Sequence, residues 1–373
     1  MKIGILGGGQ LARMILEAGH KYGFEFHILS KEENSPAGKI TKFETSGDWN
    51  DEECLKRFSE NCDVITLENE FIDYQKIKFL EDTGIEVYPS SGIIELIQDK
   101  LIQKKYLKQN GIPVAEFAEV NSKEEILKFI SENSYPVVLK SRTMGYDGKG
   151  NFTIKSDGDI KEAFDILSER GKLMCESFVT FEKEIATQVV RNKSGEVKVY
   201  TVVETIQKDH ICNTVIASKN LFKNIRDEVE SIAKKIVTDL NYVGVMGIEM
   251  FLVQEKIIVN ELAPRVHNSG HYTIEACHTS QFENHTRAIL NYPLGNTEMI
   301  NENAVMINIL GERNGKAELK NANKILQNKN IHLHIYGKEN TIIGRKMGHI
   351  TVTGNELQKV KETAEKAREN ISI

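Results

Sequence analysis

The sequence predicts an α/β protein in which a small, doubly wound parallel sheet precedes a lid and a mixed α+β C-terminal part. Three segments lead to this fold class: a strand that turns through glycines into a helix, a lysine-bearing strand that enters a glycine-rich loop, and a late hairpin with two carboxylates. The 373 residues suffice for two or three domains, and the hydrophobic content of 40% is ordinary for a well-packed α/β protein.

Composition and charge exclude several classes of protein. The formal net charge of −6 argues against nucleic acid or an anionic membrane as a partner. The five cysteines are scattered and form no Cys-x-x-Cys pair, which favours buried thiols in a reducing compartment over disulfides or a zinc site. The N-terminus lacks the pattern of a signal peptide, and no apolar run approaches the roughly 18 residues of a membrane span. We therefore expect a soluble cytoplasmic protein.

The chain begins with a predicted strand, Lys2–Leu6, which Gly7-Gly-Gly-Gln10 turns into a helix. The pattern Gly7-x-Gly9-x-x-Ala12 matches the dinucleotide fingerprint only loosely, because alanine takes the place of the third glycine. The acid expected at the end of the next strand is also missing, since Phe24–Leu29 runs into serine. A nicotinamide site is one interpretation; the other is a tight turn whose amides are free for a phosphate.

The strand Cys62–Leu67 ends in Glu68-Asn-Glu70. Ligands bind at the carboxyl ends of parallel strands, so these acids are candidates for holding ribose hydroxyls or an amine. The alternative is a helix N-terminus flanked by acids. A further strand at Ile85–Tyr88 completes a doubly wound domain, which we assign to residues 1–97.

The second informative segment is a strand ending at Lys140, which runs into the glycine-rich stretch Gly145–Gly150 and leaves it through a second strand. Lys149 is followed by glycine and no helix begins there, so the stretch is not a Walker loop. A strand, glycine loop and strand form a flap whose backbone N–H groups close over phosphates while a lysine supplies charge. The alternative is a mobile surface hairpin. We assign residues 98–180 to this lid and its linker helix.

The third segment is a predicted hairpin of two apolar runs, Gly244–Val253 and Ile257–Leu262, joined by a three-residue loop, Gln254–Lys256. In this register Glu249 lies directly opposite Glu261, and alternation places both carboxylates on one face. The other residues expected on that face are Phe251, Val253, Ile257 and Val259.

Two carboxylates opposite each other are destabilising unless a cation lies between them, and their hard oxygens suit Mg²⁺. The alternative is a solvated hairpin face with two ordinary surface acids. The segment that follows favours the functional interpretation, because Arg265, His267, Asn268 and His271 come within ten residues of Glu261.

The rest of the chain predicts a largely antiparallel sheet, and we assign residues 181–373 to one large α+β part. Strands are expected at 185–190, 196–204, 211–217, 304–310, 331–336 and 346–353, before a polar helix at 355–370. Gly344–His349 is a basic turn between strands, and its alternative interpretation is an exposed cationic loop.

Together these segments resemble an ATP-grasp ligase, and the resemblance covers nearly the whole chain. Four stretches, Gly7–Met14, Gly145–Gly150, Asn260–His271 and Arg345–His349, are as a set similar to the N5-carboxyaminoimidazole ribonucleotide synthetase family. The resemblance implies an ATP-grasp fold with a pre-ATP-grasp N-terminal domain. One departure is that Gln207 stands where the family usually has a nucleotide-side histidine.

The reaction that the resemblance implies is the ATP-dependent carboxylation of aminoimidazole ribonucleotide in purine biosynthesis, with carboxyphosphate made from bicarbonate as the intermediate. ATP and Mg²⁺ are the implied cofactors and a homodimer is the implied assembly. Lys100 and Lys140 would hold phosphates, the hinge backbone from Glu176 would meet adenine, and Glu184 would take the ribose.

The resemblance also implies the site residues. Glu249 and Glu261 would bind the metal, and the catalytic residues would be Arg265, His267 and Lys346. The ATP-binding residues would be Lys100, Lys140, Gly145, Tyr146, Asp147, Gly148, Lys149, Gly150, Asn151, Glu176, Ser177, Phe178, Val179, Glu184, Gln207, Asn260 and Glu261. The ribonucleotide-binding residues would be Gln10, Glu68, Tyr146, Asp147, Arg265, Arg345 and Lys346.

Alternative functions remain at this point. A nicotinamide oxidoreductase would use the Gly7 turn but leaves the paired carboxylates and the flap unexplained, and preferential binding of NADH would support it. A non-catalytic nucleotide-binding regulator would bind ATP without turnover. Within the ligases, a formate-using glycinamide ribonucleotide enzyme and a biotin carboxylase are close alternatives, but the short C-terminal part and the run from His267 to His271 speak against both.

Overall fold

The computed structural model describes residues 1–143, 145 and 150–373. Its first sheet is parallel with the strand order β3-β2-β1-β4-β5, which confirms the predicted doubly wound arrangement. The strands are β1 (Lys2–Leu6), β2 (Glu25–Ser30), β3 (Glu44–Ser46), β4 (Val64–Leu67) and β5 (Glu86–Tyr88). The helices around them are α1 (Gln10–Gly19), α2 (Glu52–Ser59), α3 (Tyr74–Asp82) and α4 (Ser91–Gln98). The central strands are apolar runs because helices cover both faces of such a sheet.

A four-stranded antiparallel sheet follows the helix α5 (Lys100–Gln109), with the order β6-β9-β7-β8. Its strands are β6 (Phe117–Val120), β7 (Val137–Ser141), β8 (Asn151–Ile154) and β9 (Leu173–Ser177), and its helices are α6 (Lys123–Asn133) and α7 (Asp157–Ser168). Strands β7 and β8 flank the glycine-rich stretch, and Lys140 pairs with Asn151 at its base. Asp99 caps α5 by accepting from the N–H of Leu101, which orients the first turn of that helix into the cleft.

The third sheet is continuous from the middle of the chain to its C-terminal part, in the order β15-β14-β10-β12-β13-β16-β20-β18, with β11 beside β10. The strands are β10 (Lys183–Arg191), β11 (Val197–Val199), β12 (Val203–Lys208), β13 (Ile211–Ser218), β14 (Gly244–Val253), β15 (Lys256–Ala263), β16 (Asn303–Leu310), β18 (Ile331–Ile335) and β20 (Lys346–Gly354). Two short strands, β17 (Gly315–Lys316) and β19 (Asn340–Thr341), pair in a separate two-stranded sheet. The helices are α8 (Arg226–Asp239), α9 (Thr273–Ala276), α10 (Gln281–Ile289), α11 (Ala322–Ile325) and α12 (Leu357–Asn370).

The hairpin β14–β15 differs from its predicted register by one residue. Gln254 and Glu255 both have positive φ, +48° and +66°, so they form a two-residue turn of the kind that favours hairpins, and Val253 pairs with Lys256. A β-bulge follows, because Met250 pairs with Val259 whereas Glu249 pairs with Glu261. One residue of β15 therefore has no partner in β14. The prediction of a three-residue loop was therefore wrong.

The bulge restores the pairing that matters for the site, because Glu249 lies opposite Glu261 as predicted. It does not restore the predicted face. Ile257 and Val259 are buried in the core on the side away from the carboxylates, together with Met250, whereas only Phe251 and Val253 share the side of Glu249. Because the turn is one residue shorter than predicted, the side chains of β15 between the turn and the bulge lie on the opposite face of the sheet from the predicted one.

The N-terminal sheet is joined to the large sheet through a buried histidine. His285 of α10 accepts a hydrogen bond from the N–H of Val245 at 3.1 Å, and its Nε2 lies 2.8 Å from Oγ1 of Thr66 in β4. The Thr66 hydroxyl donates to the carbonyl of Tyr88, so Nε2 carries the imidazole proton. In the described part of the chain, no helix has the length and apolar character needed to cross a membrane.

Candidate active site

Three carboxylates converge on one face of the large sheet. Glu249 lies opposite Glu261, and pairing of Ala186 with Glu249 places Glu184 two residues along the same face of β10. Removal from bulk water, reinforced by the charges of Glu261 and Glu184, raises the pKa of Glu249 to about 7. The cluster therefore concentrates negative charge at a position that favours a cation.

Lysines from α5 and β7 face this cluster. Lys100 Nζ lies 2.6 Å from a carboxylate oxygen of Glu261, while Lys104 Nζ lies 2.6 Å from Glu176. Lys140 forms an ion pair with the other oxygen of Glu176. These side chains line a pocket at the end of the cleft, whose lining is Lys100, Gln103, Lys104, Lys140, Met174, Glu176, Asn260 and Glu261.

Lys104 and Gln103 are site residues that the sequence analysis missed. Lys104 follows Lys100 by four residues, so both ammonium groups lie on one face of α5, and this spacing was the available signal. Gln103 accepts a hydrogen bond from the N–H of Leu262 beside the bulge, which fixes α5 against β15. Asn260, the bulged residue, lines the same pocket.

Glu176 is a buried anchor for the lysines. Burial by itself would raise its pKa, but the ammonium groups of Lys140 and Lys104 outweigh burial and lower the pKa to about 2. The side chain, 3% exposed, is therefore an anion that holds two cations in the pocket wall.

The hinge after β9 leaves the backbone N–H of Val179 available. The N–H of Ser177 donates to Glu116 at 2.8 Å and that of Phe178 donates to Pro136 at 3.2 Å. Among the described residues, no hydrogen bond is made by the N–H of Val179, which leaves it for a ligand. Phe178 is exposed at the mouth of the cleft.

Glu184 and Gln207 form the opposite side of this mouth. Burial raises the pKa of Glu184, while a hydrogen bond from the side chain of Gln207 opposes the shift. The antiparallel pairing of β10 with β12 explains the contact, because Glu184 pairs with Thr205 and Gln207 is two residues farther on the same face. The structure thus brings Gln207 to the predicted ribose side.

Arg265 and His267 follow β15 and lie on the other side of the carboxylates. The guanidinium of Arg265 binds Glu70 through two hydrogen bonds, one of them 2.9 Å long from Nη2. His267 Nε2 lies 3.6 Å from Glu249. Burial, and then the charges of Arg265 and Lys346, lower the pKa of His267 well below its usual value, so the imidazole is neutral near pH 7.

A chain of hydrogen bonds fixes the proton of His267. Gln188 donates from Nε2 to Ser269 Oγ at 2.8 Å, and that hydroxyl lies 2.8 Å from His267 Nδ1. The backbone N–H of Ser269 also donates to Nδ1, at 3.4 Å, so Nδ1 is an acceptor, the Ser269 hydroxyl donates to it, and the imidazole proton is on Nε2. Gln188 and Ser269 were not predicted, since the contact joins segments that are 81 residues apart.

The glycine turn of the N-terminal domain is filled by Glu68. Its carboxylate accepts from the N–H of Gly9 at 2.7 Å and from that of Leu11 at 3.4 Å. A Cβ on Gly9 would lie 2.0 Å from that carboxylate, so the close approach requires glycine. The amides of Gly9 and Leu11 are therefore not free for a phosphate, and the same contact occupies them against a dinucleotide.

The C-terminal basic segment reaches the same region. Lys346 is the first residue of β20, and its charge acts on both Glu249 and His267. Lys338, which was not predicted, donates from Nζ to the carbonyl of Lys346 at 2.7 Å. Burial, followed by the charge of Arg345, lowers the pKa of Lys338 to about 8, while Glu68 opposes this shift. Glu68, Lys338, Arg345 and Lys346 thus belong to one electrostatic neighbourhood.

Part of the predicted flap lies outside the described residues: Tyr146, Asp147, Gly148 and Lys149. Gly150 has φ of +95°, a backbone conformation that a β-carbon disfavours. Two groups of the predicted residues come together in the described part. Lys100, Lys140, Glu176, Asn260 and Glu261 line one pocket, while Arg265, His267 and Lys346 meet beside Glu249.

Comparison with known proteins agrees with this arrangement. Residues 1–98 match the ribonucleotide synthetase preATP-grasp domain, residues 105–282 the ATP-grasp domain, and residues 304–363 the phosphoribosylaminoimidazole carboxylase C-terminal domain. These matches confirm the predicted ATP-grasp fold and its N-terminal domain.

Whole-chain relatives agree as well. The N5-carboxyaminoimidazole ribonucleotide synthase of Synechococcus elongatus is 37% identical over 353 residues, which cover 94% of this chain and 89% of that protein. The synthetase structure from Thermotoga maritima is 41% identical with a TM-score of 0.90, covering 100% and 98% of the two chains. The Aspergillus clavatus synthase structure in complex with ADP and 5-aminoimidazole ribonucleotide is 36% identical with a TM-score of 0.91, covering 99% and 98%.

Fungal relatives are longer. This chain spans 65% of the phosphoribosylaminoimidazole carboxylase of Saccharomyces cerevisiae, to which it is 38% identical over 372 residues. The relatives that match over nearly their full length are the synthases, and the predicted resemblance is confirmed. By sequence and by fold, this chain belongs to the N5-carboxyaminoimidazole ribonucleotide synthase family of ATP-grasp ligases.

Proposed function

We propose that this protein uses ATP and bicarbonate to carboxylate the amine of 5-aminoimidazole ribonucleotide, giving N5-carboxyaminoimidazole ribonucleotide. The observation that carries the proposal is the meeting of two cationic regions at one carboxylate pair: Lys100 at Glu261, and Arg265 with His267 beside Glu249. Nucleotide phosphates fit the first region and bicarbonate the second. The complex of the Aspergillus clavatus relative with ADP and 5-aminoimidazole ribonucleotide supports these small-molecule ligands.

ATP binds between the lid sheet and the large sheet. Lys100 and Lys140 contact its phosphates. Lys104 pairs with the same carboxylate as Lys140, that of Glu176, and adds positive charge to the pocket wall. Adenine accepts a hydrogen bond from the N–H of Val179, because the two preceding hinge donors are used within the protein. Glu184, held by Gln207, accepts from the ribose hydroxyls.

Mg²⁺ fits between Glu249 and Glu261. The support is the donor set itself: two opposite carboxylates, one of which has its pKa raised to about 7 by removal from water and by its neighbours' negative charge. A carboxylate in that condition is stabilised by a divalent cation. When bound, Mg²⁺ offsets negative charge on the phosphates during transfer.

The chemistry divides into two displacements. A bicarbonate oxygen attacks the γ-phosphorus of ATP and the bond to ADP breaks, giving carboxyphosphate. The amine nitrogen of the ribonucleotide then attacks the carboxyl carbon, the C–O bond to phosphate breaks, and the amine proton leaves with inorganic phosphate. Both steps develop negative charge near Arg265 and His267, so donors fixed in advance lower their barriers.

His267 acts as a neutral hydrogen-bond donor. Its Nε2 carries the proton because Ser269 donates to Nδ1, and its low pKa keeps the imidazole uncharged. Arg265 supplies the positive charge and is held in place by Glu70. Bicarbonate and carboxyphosphate therefore meet one fixed cation and one fixed N–H donor.

The ribonucleotide lies between the N-terminal glycine turn and the C-terminal basic segment. Gln10 and Glu68 form one side of this space, and Arg345 and Lys346 form the other. The 5′-phosphate is a dianion, and this basic segment offers it charge in an otherwise acidic chain. Lys338 supports the segment by holding the carbonyl of Lys346.

We also infer that the active form is a cytoplasmic homodimer. None of the cysteines among the described residues is in a disulfide, which is consistent with a reducing compartment. Sedimentation velocity at catalytic concentrations tests the assembly: a single boundary at twice the chain mass supports it, and a monomer boundary contradicts it.

The proposed reaction is tested by phosphate release from ATP with and without 5-aminoimidazole ribonucleotide and bicarbonate. Release that requires both, together with formation of an acid-labile carboxylated product, is expected. Release stimulated instead by formate and glycinamide ribonucleotide, or binding of NADH in preference to ATP, would contradict the assignment.

A further inference from the structure

The C-terminal part of the large sheet contains a second cluster of potential metal ligands, made of residues that the reaction above does not use. Glu275 of α9, His334 of β18 and His349 of β20 have ligand atoms within 4.8 Å of one another. His334 and His349 are paired directly across antiparallel strands, and their rings stack with centroids 4.4 Å apart. Directly opposite side chains on paired strands are close enough to share a ligand.

Two buried atoms of this cluster have no partner among the described residues. His349 is fully buried, and its Nε2 makes no hydrogen bond; the same holds for Oε2 of Glu275. Buried polar atoms without a partner are rare, so each calls for a physical reason. The other nitrogen of His349, Nδ1, lies 2.9 Å from the hydroxyl of Tyr336. Metal-bound histidines have such a partner on their second nitrogen, which orients the ring.

We propose that Glu275, His334 and His349 bind a divalent first-row transition metal of the Zn²⁺ type. Two imidazoles with one carboxylate are a donor set of such ions, whereas Mg²⁺ prefers oxygen ligands. Water completes the coordination, because His334 and Glu275 keep 24% and 10% of their side chains exposed. The inference does not depend on the proposed carboxylation.

The geometry allows the ion to enter with a small rearrangement. His334 Nε2 and Glu275 Oε1 are 2.6 Å apart and share one proton. A metal that replaces this proton, with bonds of about 2.0–2.2 Å, separates the two atoms to roughly 3.3 Å. His334 lies on the edge strand β18, so its ring can turn toward the ion without displacing a neighbouring strand.

The ion would link three elements that are separate in the sequence. Helix α9 begins just after the run from His267 to His271, and β20 begins at Lys346. A metal bound by residues of α9, β18 and β20 would therefore hold the C-terminal sheet against the segment that carries the catalytic histidine. Because only the folded chain assembles the three ligands, the ion would stabilise that state.

The test is binding of Zn²⁺ to chelator-treated full-length protein, measured by competition with a chromophoric chelator, with Co²⁺ absorption as a second readout. His334→Gln is the informative variant, because the side chain is partly exposed and its replacement is expected to leave the fold intact. His332→Gln is the matched control, since His332 lies two residues away on the same face of β18. Thermal unfolding of each variant without metal verifies its fold.

We expect one equivalent of Zn²⁺ to bind the wild-type protein with a dissociation constant below about 1 μM, and about 100-fold weaker binding in His334→Gln. The control should bind as the wild type does, and Co²⁺ should give the visible bands of a low-coordinate nitrogen-ligated ion only when His334 is present. Absence of a stoichiometric site in the wild type, or equal binding by the two variants, overturns the proposal.

Discussion

Glu249 and Glu176 are two carboxylates in one cleft, yet their surroundings drive their pKa values in opposite directions. Both are shielded from bulk water, Glu176 almost completely and Glu249 in part, and this shielding raises the pKa of a carboxyl group. Glu249 faces two further carboxylates and has a pKa of about 7, whereas Glu176 contacts two lysines and has a pKa of about 2. Because burial raises the pKa of both groups, the opposite outcomes come from their charge partners, which decide whether an acid here binds an added cation or holds cations that the chain supplies.

The largest expected effect is on catalysis at the Glu249 side. Glu261→Gln removes one of the two proposed metal ligands, so turnover should fall by orders of magnitude, while the stability of the ligand-free fold should change little, because relief of the like-charge pair with Glu249 is offset by loss of the ion pair with Lys100. Phosphate release dependent on ribonucleotide and thermal unfolding measure the two effects. Glu255→Gln, in the exposed turn of the same hairpin, is the control. Full activity of the Glu261 variant at ordinary Mg²⁺ would refute the metal assignment.

The second effect is on stability at the Glu176 side. Glu176→Gln leaves Lys104 buried without its carboxylate, and breaking a buried pair in this way costs about 3–5 kcal/mol. Urea unfolding measures this free energy. Glu116→Gln is the control, because its pair with Lys108 is exposed and is expected to contribute less than about 1 kcal/mol. Equal effects of the two substitutions would show that the buried pair has no special role.

The pH dependence of the free energy of unfolding gives a second test of the ion pairs of Glu176. The pKa of Glu176 is lowered from an ordinary 4.5 to about 2, so its contribution is present above pH 4.5 and is lost as pH falls through 2. We therefore expect the stability difference between wild type and Glu176→Gln to shrink by about 3 kcal/mol over that range. Urea unfolding at closely spaced pH values measures it. A difference that stays constant across the window contradicts the assigned ion pairs.

A smaller effect concerns the basic segment that faces Glu249. Lys346→Ala should weaken use of the ribonucleotide far more than use of ATP, since a charge-assisted contact to an anion is worth roughly 1.5–3 kcal/mol, about ten- to a hundredfold in affinity. Separate KM values for the two substrates measure the difference, with the exposed Lys316→Ala as control. An unchanged KM for the ribonucleotide would remove Lys346 from that site.

The smallest effect is expected at the hydrogen-bond chain behind His267. Ser269→Ala removes the donor to Nδ1, so the imidazole proton is no longer held on Nε2 and the neutral donor is populated only in part. We expect kcat to fall about tenfold, the KM for ATP to stay constant, and the pH–rate profile to change shape. A uniform loss of activity without any change in the profile would indicate a packing role only.

The hairpin illustrates how far sequence reasoning reached. Alternation and length predicted that Glu249 and Glu261 would oppose each other, and they do. The predicted turn was one residue too long, which shifts the pairing by one residue. The bulge after Glu249 shifts the pairing back by one residue, so the two errors cancel at the carboxylates. Apolar patterning could not reveal the bulge, because a skipped residue changes hydrogen bonding without changing the composition of either strand.

Contacts between distant segments were the least predictable. Lys104 had a signal in its spacing from Lys100, but Ser269 with Gln188 and Lys338 with Lys346 depend on how sheets and turns are placed in space. Glu68 was predicted as a ligand-binding acid, and the structure shows it bound to the amides of the glycine turn. The sequence indicated which side chains carry the chemistry, but not which of them form hydrogen bonds or ion pairs within the protein.

By itself, the sequence determined the parallel N-terminal sheet, the lysine before the glycine-rich stretch, the opposed carboxylates and the family, because periodicity and local motifs are encoded within a few tens of residues. Only the tertiary structure decided the charge state of each group. Whether a carboxylate of this cleft has a pKa near 7 or near 2 depends on side chains that arrive from separate segments, such as Lys104 and Lys140 at Glu176. Electrostatic interactions act through space at a few ångströms, and only folding sets those distances.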